Sequence, residues 1–367
     1  MRCKSIIAAF TVIAIAGMAS SCSRQGKDAD PNVLLPEITL GSFVDTQTPL
    51  SEIIGDYRLI PLETTDESLI GGRTNKIIKK DGHIFVRSNN EVLMFGENGN
   101  FQDKLSRVGG GPEEYESIFD YDIVPEYNEI WVSSNSGIVR YEYPSMEFSG
   151  TIPLKFFANS FKYLGNDTFI AYTPEDIVYK VVSMDGKVLN EYFEKDLANS
   201  TTFPVQFVRI DNCIATQLGD SNSAVCYVTD SASFKIKDIL SPKNDQLATT
   251  EINRKYYDLY GYFDFTSKVR QDYSTVCWFR KIGDQALVFM LNPGDERSIV
   301  IDNGSTVKEY KVWPEDKNVI KNDICDTPDV PYIVTFGSCD SDDSFIFILP
   351  NDDEEANPTL LEVKKLK

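Results

Sequence analysis

Arg107-Val108-Gly109-Gly110-Gly111-Pro112-Glu113-Glu114-Tyr115 separates two stretches of the same design. Ahead of it, EVLMFGENGNFQDKLSRV (91–108) reads as strand, turn and strand. Behind it, IFDYDIV (118–124) and NEIWVSS (128–134) read as two strands leading into another hairpin. Three successive glycines can take backbone angles closed to other residues, while Pro112 fixes its own φ and biases Gly111 toward an extended conformation. The segment therefore reads as the break at which the chain leaves one sheet for the next.

Outward from this break the same unit recurs. A short apolar strand, often after Asn-Asp or Asp-Gly, leads through a polar loop to a second strand, a tight turn and a third. GHIFVRS (82–88) with residues 91–108 is the first copy, and NEIWVSS with GIVRYEYPSMEFSGTIPL (137–154) the second. NDTFIAY (166–172) with IVYKVVSMDGKVLNEYFE (177–194) is the third, turning at Asp185-Gly186. DNCIATQL (211–218) with 224–240, DQALVFML (284–291) with 297–313, and DSFIFILP (343–350) with TLLEVKKLK (359–367) complete the series; the fifth copy turns at Asn303-Gly304. Each copy has a strand before it: TNKIIKK, IFDYDIV, FKYLG, FPVQFVRI, TVCWFRK and PYIVTFG. Six copies of four strands predict an all-β, six-bladed β-propeller over residues 51–367. The last copy lacks its outermost strand, and YRLIPLE (57–63) has no partner of its own. Their pairing closes the last blade with an N-terminal strand.

The runs IPLETTDESLIG, GGGPEEY and NPTLLEVKKLK resemble the family of six-bladed β-propeller lipoproteins, relatives of NHL and TolB-like propellers found in certain Gram-negative anaerobes. The resemblance covers nearly all of the expected mature chain and is most specific over 57–155. It implies a fold and an outer-membrane or surface location, and it carries over no catalytic residue.

The N-terminus agrees with that location. Arg2 and Lys4 precede the apolar stretch Ile6 to Ile15, and the small residues Ala19-Ser20-Ser21 lead directly into Cys22. This is the pattern of a lipoprotein signal peptide (1–21) with Cys22 lipidated, followed by a tether over 22–50. The apolar stretch is too short to span a bilayer. The expected product is an outer-membrane lipoprotein facing the periplasm or the cell surface, held to the membrane by its lipid alone and monomeric.

The 367 residues can bury a large core, and a formal net charge of -20 argues against a nucleic-acid partner. Once Cys3 and Cys22 are set aside, Cys213, Cys226, Cys277, Cys325 and Cys339 remain, an odd number without CxxC spacing. With His83 the one histidine, a zinc site and a Ser-His-Asp triad both lack partners. The glycine run is neither GxGxxG nor a P-loop, and the acidic clusters at 340–343 and 352–355 lack the spacing of an EF-hand and read as solvated surface. No cofactor is called for.

Strand direction alternates within a blade, so the loops between blades and those joining second to third strands emerge on one face. Gly109 to Tyr115 lies there, with the loops at 88–90, 133–136, 219–222, 293–297 and 351–355. Residues 242–272, rich in Tyr and Phe, are an insertion on the same face. They read either as aromatics covering the mouth or as a short helix, strongest over 254–260, with its rings buried. Ligand contacts are expected from Gly111, Glu113, Tyr115, Asp120, Asp122, Asn135, Tyr257, Tyr260 and Arg297. Asp120 and Asp122 alternate along an innermost strand and are expected to face the channel.

Two functions are consistent with these features. The leading one is a lipid-anchored, non-catalytic binding or scaffold propeller presenting one face to a glycan, peptide or protein partner. The alternative is a hydrolase or lyase using channel carboxylates with a bound divalent cation.

Overall fold

A computed structural model describes residues 33–35, 40–71, 76–200, 206–210, 212–241, 246–325, 338–349 and 355–367. The signal peptide, Cys22 and the sixth preceding strand expected at 331–337 lie outside these residues.

Blade one consists of Lys76–Lys80, His83–Ser88, Glu91–Gly96 and Phe101–Leu105, paired antiparallel in that order from the centre outward. Blade two runs from Asp120–Val124 to Phe148–Ile152, blade three from Ser160–Gly165 to Val188–Glu194, and blade four from Val208–Ile210 to Ser233–Asp238. Blade five runs from Thr275–Ile282 to Val307–Trp313. In the sixth blade Phe345–Leu349 pairs with Thr359–Val363, which pairs antiparallel with Tyr57–Pro61. The N-terminal strand therefore closes the ring as expected.

Both faces of each blade are covered by a neighbouring blade, which is why strands such as Ile84-Phe85-Val86 and Ile130-Trp131-Val132 are apolar without alternation. Successive side chains point to opposite faces. Thus Ile78, Met94 and Phe85 pack toward blade two, whereas Ile77, Leu93 and Phe95 pack toward blade six beside Ile346, Ile348 and Leu360. Similar clusters fill every other gap around the ring. At the closure, Ile60 and Leu62 join the cluster between blades six and one, and the Glu63 amide donates to Gly99 O at 2.9 Å. Gly99, at φ 84°, has room only for hydrogen there, since a Cβ would lie 2.2 Å from Pro61 O.

Residues 33–35 and 40–50, expected within the tether, instead pack on the ring. Leu34 and Leu35 donate backbone hydrogen bonds to Asp238 O and Ile239 O. Phe43–Val44 adds a parallel strand outside Val307–Trp313, and Thr48–Pro49 pairs with Ile320–Lys321. The apolar residues Leu34, Leu35, Leu40 and Leu50, all buried, are the physical reason: a freely solvated tether would leave them in water.

Among the described residues three short α-helices interrupt the strands: α1 (Leu50–Ile53), α2 (Thr250–Tyr260) and α3 (Phe265–Asp272). Among the described residues no helix is long and apolar enough to cross a membrane.

Candidate binding face and channel

The glycine-rich loop is held in a closed form. Gly109 N donates to Tyr115 O and Tyr115 N to Arg107 O, both at 3.0 Å, so its two ends pair with each other. None of the three glycines adopts a positive φ, contrary to the role the sequence suggested. Gly109 and Gly111 are small because the Glu114 carboxylate folds over them, whereas a Cβ on Gly110 would meet open space. Glu114 Oε2 accepts from Gly111 N at 2.8 Å, and a Cβ on Gly109 would lie 2.0 Å from that oxygen.

Tyr115 is not at the mouth. It is 1% exposed, and its hydroxyl reaches Asn90 O at 2.9 Å and Leu105 O at 3.2 Å, which ties blade one to the loop. Burial pushes this phenol up to about 12. An aromatic ring this large finds more stabilisation between two sheets than on a loop tip, and its polar end needs those carbonyl partners. Glu113 remains exposed, with its carbonyl accepting from Tyr141 Oη, and Gly111 is half-buried under Glu114. Asn135, exposed on the neighbouring loop, donates to Glu116 Oε2. Arg297 lies farther out on blade five, its guanidinium 5.0 Å above the Trp313 ring.

Asp120 and Asp122 are buried and belong to a chain of ion pairs rather than to an open carboxylate pair. Asp120 Oδ1 accepts from Lys76 Nζ at 2.8 Å, and its Oδ2 from Ser160 Oγ and Phe161 N, each at 3.0 Å. Asp122 takes Lys162 Nζ at 2.7 Å and Tyr163 N at 3.0 Å. Lys162 continues to Asp340 at 2.6 Å, and Arg280 closes on Asp340 at 3.0 Å. These groups come from the inner strands of blades one, two, three and five and from Ser338–Ser341, which runs parallel to Lys76–Lys80. Burial opposes the Lys162 charge, but Asp122 and Asp340 outweigh it and raise its pKa above the ordinary lysine value. Burial likewise opposes ionised Asp340, yet Lys162 and Arg280 hold it well below the usual carboxylate range. Asp340, read from sequence as solvated surface, is thus a central counter-ion. Lys76, Lys162 and Arg280 match Asp120, Asp122 and Asp340 in charge, and both aspartates expected for chemistry already accept from cations and neighbouring amides.

The insertion is the other feature of this face. Thr249 caps α2 by accepting from Ile252 N, and Gly261 ends it at φ 76° with its amide on Tyr257 O. Ile252, Asn253, Tyr256 and Tyr257 recur at i, i+1, i+4 and i+5 and face inward, where Phe265 and Val269 of α3 meet them. The pair is fastened to the second-to-third-strand loop of blade four. Asn222 N donates to Ala248 O, and Arg270 Nη2 lies 2.6 Å from Asp220 Oδ2. It is also fastened to the loop between blades three and four through Arg254 and Asp196.

Both readings of the insertion are partly met. The helix forms over Thr250–Tyr260, and Tyr257 is half-buried with its ring 5.5 Å from that of Phe265. The end of α2 and the turn that follows stay in solvent: Leu259 is 63% exposed, Tyr260 47%, Tyr262 52% and Phe263 93%. Beside it opens a cleft of ≈ 500 Å³ between α3, Leu197 and Ser200 of the blade three-to-four loop, and Gly294 and Asp295 of blade five. The sequence reading singled out Tyr262 and Phe263 among the aromatics of the insertion but missed Gln271 and Leu197. The aromatic density around 262–263 was the signal; no local pattern pointed to Leu197.

Residues 35–357 match the model of a domain of unknown function, DUF4934. Among solved structures, a Bacteroides fragilis protein described as a "putative exported protein" superposes with a TM-score of 0.67 at 15% identity, covering 91% of this chain and 99% of its own. A Bacteroides vulgatus member of the DUF4221 family superposes with a TM-score of 0.49 at 12% identity, over 86% of this chain and 98% of its own. No curated protein matches the sequence.

Proposed function

We propose that this chain, which belongs to the DUF4934 family, is a lipid-anchored binding propeller whose loop-rich face, and the turn between α2 and α3 above all, captures a partner. The observation that carries the reading is the exposure of Tyr260, Tyr262 and Phe263 on a helical pair whose other face is packed and ion-paired to the ring. Large rings held in water on a rigid support keep their apolar area for a ligand, with little conformational entropy left to lose. Covering one such ring contributes about 1.5–3 kcal/mol.

The likeness in fold to a protein described as a "putative exported protein" and the lipobox-like residues ending at Cys22 support export and anchoring at an outer membrane. The neutralised channel favours this reading over carboxylate chemistry, because an acid–base pair needs oxygens that are not already hydrogen-bonded to lysine and backbone amides.

The test is an array of immobilised glycans and peptides probed with the wild-type protein and with a Tyr260→Ala/Phe263→Ala variant. The reading predicts signals that the variant loses while its circular dichroism is unchanged. Equal signals from both proteins contradict it.

A further inference from the structure

We infer that the cleft beside the α2–α3 turn binds a neutral oligosaccharide; this rests on the binding function proposed above and names its ligand class. Its walls combine two kinds of group. Tyr262 and Phe263, with ring centroids 5.3 Å apart, supply exposed apolar faces at its edge. Ser267 and Gln271, one turn apart on α3, present a hydroxyl and an amide from the same side of the helix. Asp295, on the turn of blade five with its backbone at φ 60°, adds a carboxylate to the lining.

A pyranose has this same duality, with a face of C–H bonds that stacks on an aromatic ring and a rim of hydroxyls that both donate and accept. Amide, hydroxyl and carboxylate groups answer that rim in both senses. The charge balance selects a neutral sugar. Arg270, the cation in the lining, is ion-paired with the buried Asp220 carboxylate, and Asp295 repels an acidic ligand. The geometry disfavours an extended peptide, because the lining comes from a helix and turns and offers no strand edge for backbone pairing.

The experiment titrates the full chain calorimetrically with neutral α- and β-linked gluco- and manno-hexasaccharides, with sulfated counterparts, and separately screens a random-peptide display library. The proposal expects a neutral hexasaccharide to bind, and Phe263→Ala and Gln271→Ala each to weaken that binding about tenfold or more. Both side chains are at the surface, so the fold is retained and circular dichroism verifies it. Binding of sulfated sugars alone, or neutral-sugar binding indifferent to Phe263→Ala, overturns the proposal. Peptides captured in a Phe263-dependent manner with no sugar bound overturn the ligand class but leave the binding face standing. Absence of any sugar or peptide ligand overturns both.

Discussion

Lys162 on the third blade and Asp340 near the end of the chain meet at 2.6 Å in the centre of the ring, 178 positions apart in sequence. Arg280 of blade five joins the same carboxylate, so groups from opposite parts of the ring converge there. The pair acts as a tie across the channel, and removing Asp340 leaves two buried cations, Lys162 and Arg280, short of one shared counter-charge.

Asp340→Asn is expected to destabilise the protein by about 3–5 kcal/mol at neutral pH, the usual penalty for breaking one side of a buried ion pair. The pH dependence follows from the direction of the shifts. Asp340 has a folded pKa below its unfolded one, so its contribution is present above the ordinary carboxylate value and is lost as pH falls through the lowered folded value. Lys162 has a raised pKa, so its contribution is complete below the ordinary lysine value and is lost only as pH rises through the folded one. Urea denaturation across the acid range should show the variant approaching wild type below about pH 4. A stability gap independent of pH there contradicts the assignment.

The ring closure predicts a global effect from a local deletion. Tyr57–Pro61 pairs along its whole length with Thr359–Val363, and Ile60, 2% exposed, packs with Leu360. Removing residues 57–63 should lower the melting temperature of the entire molecule in one cooperative transition. The more local Leu360→Ala should cost about 2–5 kcal/mol. A wild-type melting temperature after the deletion is the opposing result.

In the loop 107–115, Tyr115 supports the fold and Gly109 makes room for a side chain. Tyr115→Ala should cost about 3–5 kcal/mol as a buried aromatic truncation. Tyr115→Phe, which loses only the hydroxyl's hydrogen bonds to Asn90 O, Leu105 O and Arg107 N, should cost about 0.5–1.5 kcal/mol. Gly109→Ala should cost less than Tyr115→Ala, because its clash is with the end of the Glu114 side chain on an exposed residue. Thermal melts of the three variants rank them, and a Gly109→Ala effect as large as that of Tyr115→Ala contradicts the closed-loop account.

The blades were legible because strand, turn and strand repeat with a regular period, and the closing strand because a ring of sheets cannot leave one edge unpaired. Long-range pairings of single charges were not legible. Lys162, Arg280 and Asp340 each sit in an otherwise ordinary strand, and only the ring brings them together. Tyr115 misled for a related reason: glycines and proline mark a loop, but they do not say whether the aromatic that ends it turns inward. The tether boundary failed where buried leucines at 34, 35 and 40 lay among polar residues too irregular to read as strands.

Anchoring at Cys22 predicts that Cys22→Ser moves the protein from the membrane fraction to the soluble fraction. Unchanged fractionation with membranes contradicts the lipid assignment while leaving the fold and the binding face untouched.

The central claim, that the α2–α3 face is the capture surface, is tested most directly by hydrogen exchange of the full chain with and without a ligand selected on the array. The account predicts slowed exchange confined to residues 250–272 and to the adjoining loops at 196–200 and 293–297. Protection on the opposite rim, at the turns around 81–82, 185–186 and 303–304, or no protection on the α2–α3 face at saturating ligand, would contradict it.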